Sequence, residues 1–359
     1  MDVLQNVTNE TETYDFSEIP LEVKIPFAFI LLIIIAIGCG GNMIAFLLVY
    51  KKTSMRSAIN LLLANMALAD MFLGIVSMPF IFSTIVSKLH IHGIITCVCF
   101  STLQNIFVSV SISTLMTISV DRYLIIVHRR DKLTPRSAKV LIGMSWTVSS
   151  ILFIFPMFFI LITTSKLDDM ICVIISRTTT IYSAYHIVIA IAVFFVPFSV
   201  MTYTYSRIQI TVRKNARRIH VSHGSSISVS VTQYSCKLGL PAIVKPYKGV
   251  ADLNFKRRAF KTIFILFFTC VLFWLPYAIY LTLVGSASTR QREIAIIALI
   301  CVGFTKSASN PIIYAARIKK YREACFKILP LPPKIPISLR VITKKRVNPG
   351  SLYECSEAT

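Results

Sequence analysis

Seven long stretches of the chain are almost continuously apolar, and polar or basic segments separate them. Each stretch has the length of about 20 residues or more that a helix needs to cross a bilayer. The stretches are 25–50, 58–86, 94–120, 138–163, 180–206, 259–285 and 293–316. This pattern predicts an all-α membrane protein, in which seven transmembrane helices form a bundle and the two chain ends lie on opposite sides of the membrane.

The composition and the distribution of charge support a membrane location. Hydrophobic residues make up 55% of the 359 residues and charged residues only 15%, whereas soluble domains average about one quarter charged residues. Lys and Arg are concentrated on the side that holds the C-terminus, so the positive-inside rule predicts an extracellular N-terminus. Segment 1–24 lacks the pattern of a removable signal peptide, and we expect the first span to anchor a multi-pass protein of the plasma membrane.

The net charge of +22 raises the question of a nucleic-acid partner. The basic residues, however, lie close to the membrane ends of the spans, as in RRDKLTPRSAK at 129–139 and TVRKNARRIH at 211–220. Such clusters are typical of contacts with anionic lipids of the inner leaflet. We therefore expect membrane lipids and an acidic cytosolic protein as partners, and no nucleic acid.

Two tails flank the seven-helix domain at 25–316, and one long inner loop interrupts it. The N-terminal tail at 1–24 carries the sequons of Asn6 and Asn9, which an extracellular tail would expose to glycosylation. The third inner loop, about 214–255, has no helical period over much of its length and is expected to be flexible. The last segment, 330–359, is expected to form a cytoplasmic tail.

A short amphipathic helix is expected at 317–329, on the inner leaflet. Apolar positions recur there at helical spacing with basic residues between them. Those positions are Ile318, Tyr321, Ala324, Cys325 and Ile328. Cys325 is a candidate for palmitoylation, and a free thiol that faces lipid remains the alternative.

Two of the nine cysteines are candidates for a disulfide bridge. Cys97 begins the third span on the outer side, and Cys172 lies in the outer loop between the fourth and fifth spans. Both would face the oxidising compartment, where a bridge would hold the loop over the mouth of the bundle. Two free thiols are the alternative. Four other cysteines fall within spans, where they are expected to pack as small apolar residues.

Short motifs occur in order along the spans, one motif to a span. They are GGN at 40–42, NLLLANMALAD at 60–70, SVDRYLIIV at 119–127, Trp146, Pro197 with Tyr205, FWLPY at 273–277 and NPIIY at 310–314. Together they resemble a rhodopsin-like (class A) G protein-coupled receptor. Segments such as MRSAINLLLA and RIKKYREAC are similar to an orphan subgroup that is sometimes linked to lysophospholipid ligands.

The resemblance implies a signalling receptor rather than an enzyme, and it implies no cofactor and no metal centre. It implies a ligand pocket between the outer halves of the helices and a heterotrimeric G protein bound by the inner halves. Arrestin and a receptor kinase are further implied partners. The residues implied in coupling and activation are Asp121, Arg122, Tyr123, Tyr205, Trp274, Pro276, Asn310, Pro311 and Tyr314.

Lys256 departs from the family pattern. Many members carry an acid at this position, the inner end of the sixth span, where it holds the arginine that matches Arg122 in the resting state. A lysine cannot form that ion pair, so we expect a less secured resting state and basal signalling.

The pocket implied by the resemblance lacks the charge that an amine ligand needs. Amine receptors carry an aspartate where this chain has Gln104. The implied pocket residues are Gln104, Asn105, His186, Tyr277, Leu281 and Phe304. This mostly apolar set suits a lipid-like ligand with a small polar head. It suits equally a closed pocket filled by its own side chains, with His186 satisfied at a helix end.

Lys306 lies within the seventh span, where a charge is costly. A retinal Schiff base would make the protein a photoreceptor, but visual members carry that lysine where this chain has Phe304, about 200° around the helix from Lys306. An ion pump that uses an Asp–Lys pair is another alternative. Ion flux without a G protein would identify a pump.

Depth in the membrane predicts a partner for Lys306. At 1.5 Å per residue, Lys306 lies about 16 Å above Arg317, and Asp70 lies about 21 Å above Arg56. The resemblance implies a buried polar core at this level, formed by Asn42, Asp70, Ser111 and the seventh span, which holds a sodium ion in most members. We expect the Lys306 ammonium to pair with Asp70 in place of that ion.

Overall fold

The computed structural model describes residues 21–51, 56–86, 94–130, 133–163, 187–224, 248–283 and 290–328. These residues form eight helices and no strand. The helices are α1, Leu21–Lys51; α2, Ala58–Val86; α3, Ile94–Ile126; α4, Pro135–Thr163; α5, 187–224; α6, Lys248–Leu283; α7, Arg290–Arg317; and α8, Lys319–Ile328. Over this part of the chain, seven helices are long and apolar enough to cross a membrane, which confirms the predicted seven-helix bundle.

Local sequence explains where two of the helices begin. Ser57 precedes α2, and its hydroxyl accepts a hydrogen bond from the Asn60 backbone N–H. Thr134 precedes α4, and its hydroxyl accepts a hydrogen bond from the Ser137 backbone N–H at 3.1 Å. Pro135, the first residue of α4, has no N–H group that would need a partner there.

Helix α5 ends later, and helix α6 begins earlier, than the hydrophobic pattern predicts. Helix α5 continues to Gly224 and α6 already begins at Lys248, so both ends of the segment predicted as a flexible loop are helical. Arg, Lys and Ala have high helix propensities, and a helix that starts in the membrane can continue through them into water. Residues 225–247 lie outside the described part.

Helix α3 occupies the centre of the bundle, where it packs against α2, α4, α5 and α6. Helix α1 packs against α2 and α7, and α8 returns to touch α1. Large apolar side chains on α1 and α4 point outward, for example Phe29 and Phe155. Such surfaces are expected where a helix faces lipid rather than protein.

Two π-helical turns interrupt the α-helices, at Leu73–Ser77 in α2 and at Ile191–Phe195 in α5. Each turn ends two residues before a proline, Pro79 or Pro197. A proline ring clashes with the carbonyl group four residues earlier, and in both helices that carbonyl belongs to the π turn. The wider turn therefore accommodates the proline while the helix continues.

Candidate functional site

An ion pair lies at the centre of the bundle. The Lys306 Nζ of α7 is 3.0 Å from Oδ1 and 3.1 Å from Oδ2 of Asp70 on α2. Both side chains are 2% exposed. The sequence predicted this pair from depth in the membrane and from the polar core that the resemblance implies, and the structure brings the two charged groups into direct contact.

Two further side chains complete the surroundings of the Asp70 carboxylate. The Ser111 hydroxyl of α3 donates to Oδ1 at 3.0 Å, and the Asn310 amide of α7 donates to Oδ2. Ser111 Oγ also accepts a hydrogen bond from Lys306 Nζ. The carboxylate therefore connects α2, α3 and α7 in one buried polar network.

Helix α1 joins this network through Asn42. Its Nδ2 donates to the carbonyl oxygens of Gly38 at 2.8 Å and Ser307 at 3.0 Å. The Ser307 hydroxyl in turn donates to the Asp70 carbonyl oxygen at 3.2 Å. All four residues implied for the buried polar core therefore belong to one connected set of contacts.

Trp274 on α6 fills the core beside the polar network. Its ring centroid lies 6.0 Å from Phe194, 5.8 Å from Tyr277 and 6.4 Å from Phe304. A Cβ built on Gly303 would lie only 2.8 Å from Trp274 Cζ3. The absence of a side chain at position 303 therefore gives the indole its place between α6 and α7.

The C-terminal end of α3, which is its predicted inner end, carries the Asp121–Arg122 pair. Arg122 donates to Asp121 Oδ2 through Nε at 3.1 Å, and its second contact with the same oxygen is 2.9 Å long. One turn above, the Ser119 hydroxyl donates to the Tyr205 hydroxyl of α5 at 3.2 Å. Tyr123 contacts the ring of Tyr203 on α5, so this end of α3 is held against α5.

The comparisons with known proteins decide the family. The model of the seven-transmembrane receptors of the rhodopsin family matches residues 41–314. The chain belongs to this family. The receptor is 37% identical to the high-affinity lysophosphatidic acid receptor of Xenopus laevis, over 94% of this chain and 93% of that protein.

Two further relatives are named as probable G-protein coupled receptors of Homo sapiens. Receptor 63 is 38% identical over 95% of this chain and 82% of its own length. Receptor 45 is 35% identical over 99% of this chain and 95% of its own length. Membership of the family implies signalling through a G protein from a seven-pass membrane position, and neither the photoreceptor nor the ion pump is favoured.

Part of the receptor's implied pocket lies among the described residues. Phe304 and Gln104 are buried, Tyr277 is partly buried and Asn105 is exposed. Leu281 lies near the end of α6, but its side chain is not among those described. His186 falls outside the described residues.

Several other predicted sites also fall outside the described part of the receptor. They are the sequon residues Asn6 and Asn9 and the outer-loop residue Cys172. Cys97 lies in α3 and Lys256 in α6, but their side chains are not described. The predicted bridge, the glycans and the effect of Lys256 therefore remain predictions.

Pro276, Pro311 and Tyr314 lie within the receptor's helices. Pro276 is inside α6 and Pro311 is inside α7, where each removes a backbone hydrogen bond. Pro311 packs directly on α1, because a Cβ on Gly41 would be 2.3 Å from Pro311 Cβ. The buried Tyr314 hydroxyl has no hydrogen-bond partner within the described residues.

The sequence did not predict how the receptor's α8 is attached. Tyr321 is 3% exposed, and its ring meets the ring of Tyr314 edge-on at 5.7 Å. Its hydroxyl donates to the Gly41 carbonyl oxygen of α1 at 2.8 Å. Burial raises the pKa of this hydroxyl, so it stays protonated and remains a donor at physiological pH. The apolar spacing in 317–329 was the signal that Tyr321 would be covered.

A second polar contact that the sequence did not predict joins three helices. Trp146 Nε1 on α4 donates to Asn65 Oδ1 on α2 at 2.9 Å. Asn65 Nδ2 donates to Thr114 Oγ1 on α3 at 2.9 Å. Polar residues in three spans do not by themselves predict this contact, because which side chains face each other depends on the rotation of each helix about its axis.

Proposed function

We propose that this receptor transmits an extracellular, lipid-like stimulus to heterotrimeric G proteins and signals partly without a ligand. The observation that carries the proposal is the ion pair of Asp121 with Arg122 at the inner end of α3. The pair holds the arginine on its own helix, and only 19% of the Arg122 side chain is exposed. Release of Arg122 from Asp121 would present a cation to a cytosolic partner.

The core beside α6 provides a route from the pocket to that inner end. Phe304 and Tyr277, both implied pocket residues, contact the Trp274 ring. Pro276 lies two residues further along α6 and weakens the helix there. A ligand that displaces the aromatic side chains would move α6 at this weak point, and the inner end of α6 would move away from α3.

The proposed ligand has an apolar body and a small polar head. Gln104 is neutral and buried, so it offers hydrogen bonds but no anion for an amine. The residues around Trp274 are aromatic, which suits an acyl chain. The relative from Xenopus laevis is named as a receptor for lysophosphatidic acid, a lipid of this shape.

The remaining proposals concern the outer and inner surfaces. The N-terminal tail would be extracellular and glycosylated at Asn6 and Asn9, and Cys97 would bridge to Cys172. Cys325 on α8 is partly buried and would carry a palmitoyl chain at the inner leaflet. Arrestin and a receptor kinase would bind the same inner face that the G protein uses.

A panel of G protein activation assays tests the proposal. The full-length receptor is expressed alone, and nucleotide exchange is measured for each G protein class before and after addition of lysophosphatidic acid. We expect basal exchange on at least one class, and Arg122→Ala should abolish it at equal surface expression. Lys261→Ala, a change at an exposed lysine of α6, is the control and should retain basal exchange.

Two results would contradict the proposal. If no G protein class shows nucleotide exchange above the level without receptor, with or without lipid, then both the proposed coupling and the proposed basal signalling are wrong. Coupling that responds to a cationic amine but to no lysophospholipid would retain the G protein and remove the lipid-like ligand.

A further inference from the structure

The sodium ion that the family implies does not fit the polar network of this receptor. We propose that the Lys306 ammonium permanently occupies the cation position beside Asp70, so that the receptor binds no sodium there. The inference goes beyond the proposed function, because it concerns what stabilises the bundle rather than what activates it. It depends on the contacts of four side chains.

Each oxygen atom of the Asp70 carboxylate accepts two hydrogen bonds. Oδ1 accepts from Lys306 and from Ser111, and Oδ2 accepts from Lys306 and from Asn310. A carboxylate offers about four lone-pair sites, and all of them have donors here. A metal cation, which binds through oxygen lone pairs, would find no free site on this carboxylate.

The hydroxyl of Ser111 also makes two hydrogen bonds within the network. It donates to Asp70 Oδ1 and accepts from Lys306 Nζ, so its oxygen already faces a positive charge. A sodium ion at this hydroxyl would lie next to the ammonium, and two like charges repel strongly in the low-dielectric interior. The ammonium therefore excludes the ion by charge as well as by occupancy.

The lysine cannot leave the site as an ion can. Lys306 is part of α7, and its side chain is 2% exposed. The Asn310 amide lies one turn further along the same helix and binds the same carboxylate. A free cation exchanges with solvent. The Lys306 ammonium is covalently attached to α7, so it can move away from Asp70 only if α7 or its own side chain moves.

Removal of the ammonium should uncover the site. In Lys306→Ala, Asp70 Oδ1 and Oδ2 each lose one donor while Ser111 and Asn310 remain in place. The carboxylate, the serine hydroxyl and the space left by the lysine then form an oxygen-lined, negatively charged site. The variant should bind sodium where the unmodified receptor cannot.

The thermal unfolding midpoint of the purified full-length receptor tests the inference. It is measured in sodium chloride and in N-methylglucamine chloride at equal ionic strength, so that general salt effects cancel. We expect the same midpoint in both salts for the unmodified receptor. Lys306→Ala should unfold several degrees higher in sodium than in N-methylglucamine.

A second variant provides the matched control and covers the case in which Lys306→Ala does not fold. Asp70→Asn with Lys306→Met removes both charges and keeps the volume of the lysine, and its midpoint should not depend on sodium. A sodium-specific rise in the unmodified receptor would overturn the inference, as would a folded Lys306→Ala that shows none. The measurement requires neither a ligand nor a G protein, so failure of the proposed function would leave it unaffected.

Discussion

The Tyr321 hydroxyl of α8 donates a hydrogen bond to the Gly41 carbonyl oxygen of α1 at 2.8 Å. The same glycine packs against Pro311 of α7, and no side chain larger than hydrogen fits between them. Three helices therefore meet at Gly41. This contact fixes the direction in which α8 leaves the bundle.

Tyr321→Phe should lower the stability of the receptor slightly. The change removes one buried hydrogen bond and keeps the ring contact with Tyr314, and such bonds contribute about 0.6 kcal/mol on average in membrane proteins. We expect a small fall in the thermal unfolding midpoint. Tyr50→Phe, a change at an exposed tyrosine of α1, is the control, and equal midpoints for the two variants would argue against the contact.

Gly303→Ala should destabilise the resting position of the Trp274 indole. The new Cβ would lie 2.8–3.0 Å from three atoms of the ring, and overpacking of a core costs about 1–3 kcal/mol. We expect a lower unfolding midpoint and altered basal signalling.

Gly143→Ala supplies the comparison for this substitution. Nothing lies within 4 Å of a Cβ at position 143 of α4, and alanine is favoured over glycine in a helix by about 1 kcal/mol. The two variants should therefore shift the midpoint in opposite directions. A rise for both would show that the indole has room to move.

The two partners of the central ion pair should not contribute additively. Lys306→Ala takes the ammonium group away from the buried Asp70 carboxylate, and loss of one partner of a buried pair costs about 3–5 kcal/mol. Asp70→Asn combined with Lys306→Ala removes both charges and should recover surface expression beyond the single lysine variant. Expression is measured across the double-mutant cycle, and strictly additive effects would show that the pair is not coupled.

Lys256→Glu should reduce basal signalling. An acid at this inner position of α6 could attract Arg122 and hold α6 against α3, as the family pattern implies. The measurement is basal nucleotide exchange at equal surface expression. Lys261→Glu reverses an exposed charge five residues further along α6 and should have less effect, so equal reductions would point to general charge repulsion instead.

Replacement of Cys97 or Cys172 by serine should reduce surface expression. A bridge that closes a long outer loop would stabilise the receptor by about 2–4 kcal/mol. Each single variant and the double variant should be affected to the same extent, because loss of either thiol breaks the same bond. Normal surface levels in both single variants, with unchanged labelling of free thiols, would exclude the bridge.

The sequence by itself determined the seven spans, the family and the level of each polar residue in the membrane. Apolar length identifies a transmembrane helix, because the bilayer requires it. The constant rise of a helix then places Lys306 and Asp70 at similar depth. Since one buried carboxylate lay at that depth, their pairing could be predicted without coordinates.

Only the tertiary structure decided which side chains share that carboxylate and how the helices touch. Asn310 binds Asp70, Trp146 binds Asn65, and Tyr321 binds Gly41. Each contact depends on the rotation of one helix about its axis and on the distance to its neighbour. Apolar periodicity is weak on helices that face lipid and protein alike, so it fixes the depth of a residue in the membrane but leaves its neighbours on other helices undetermined.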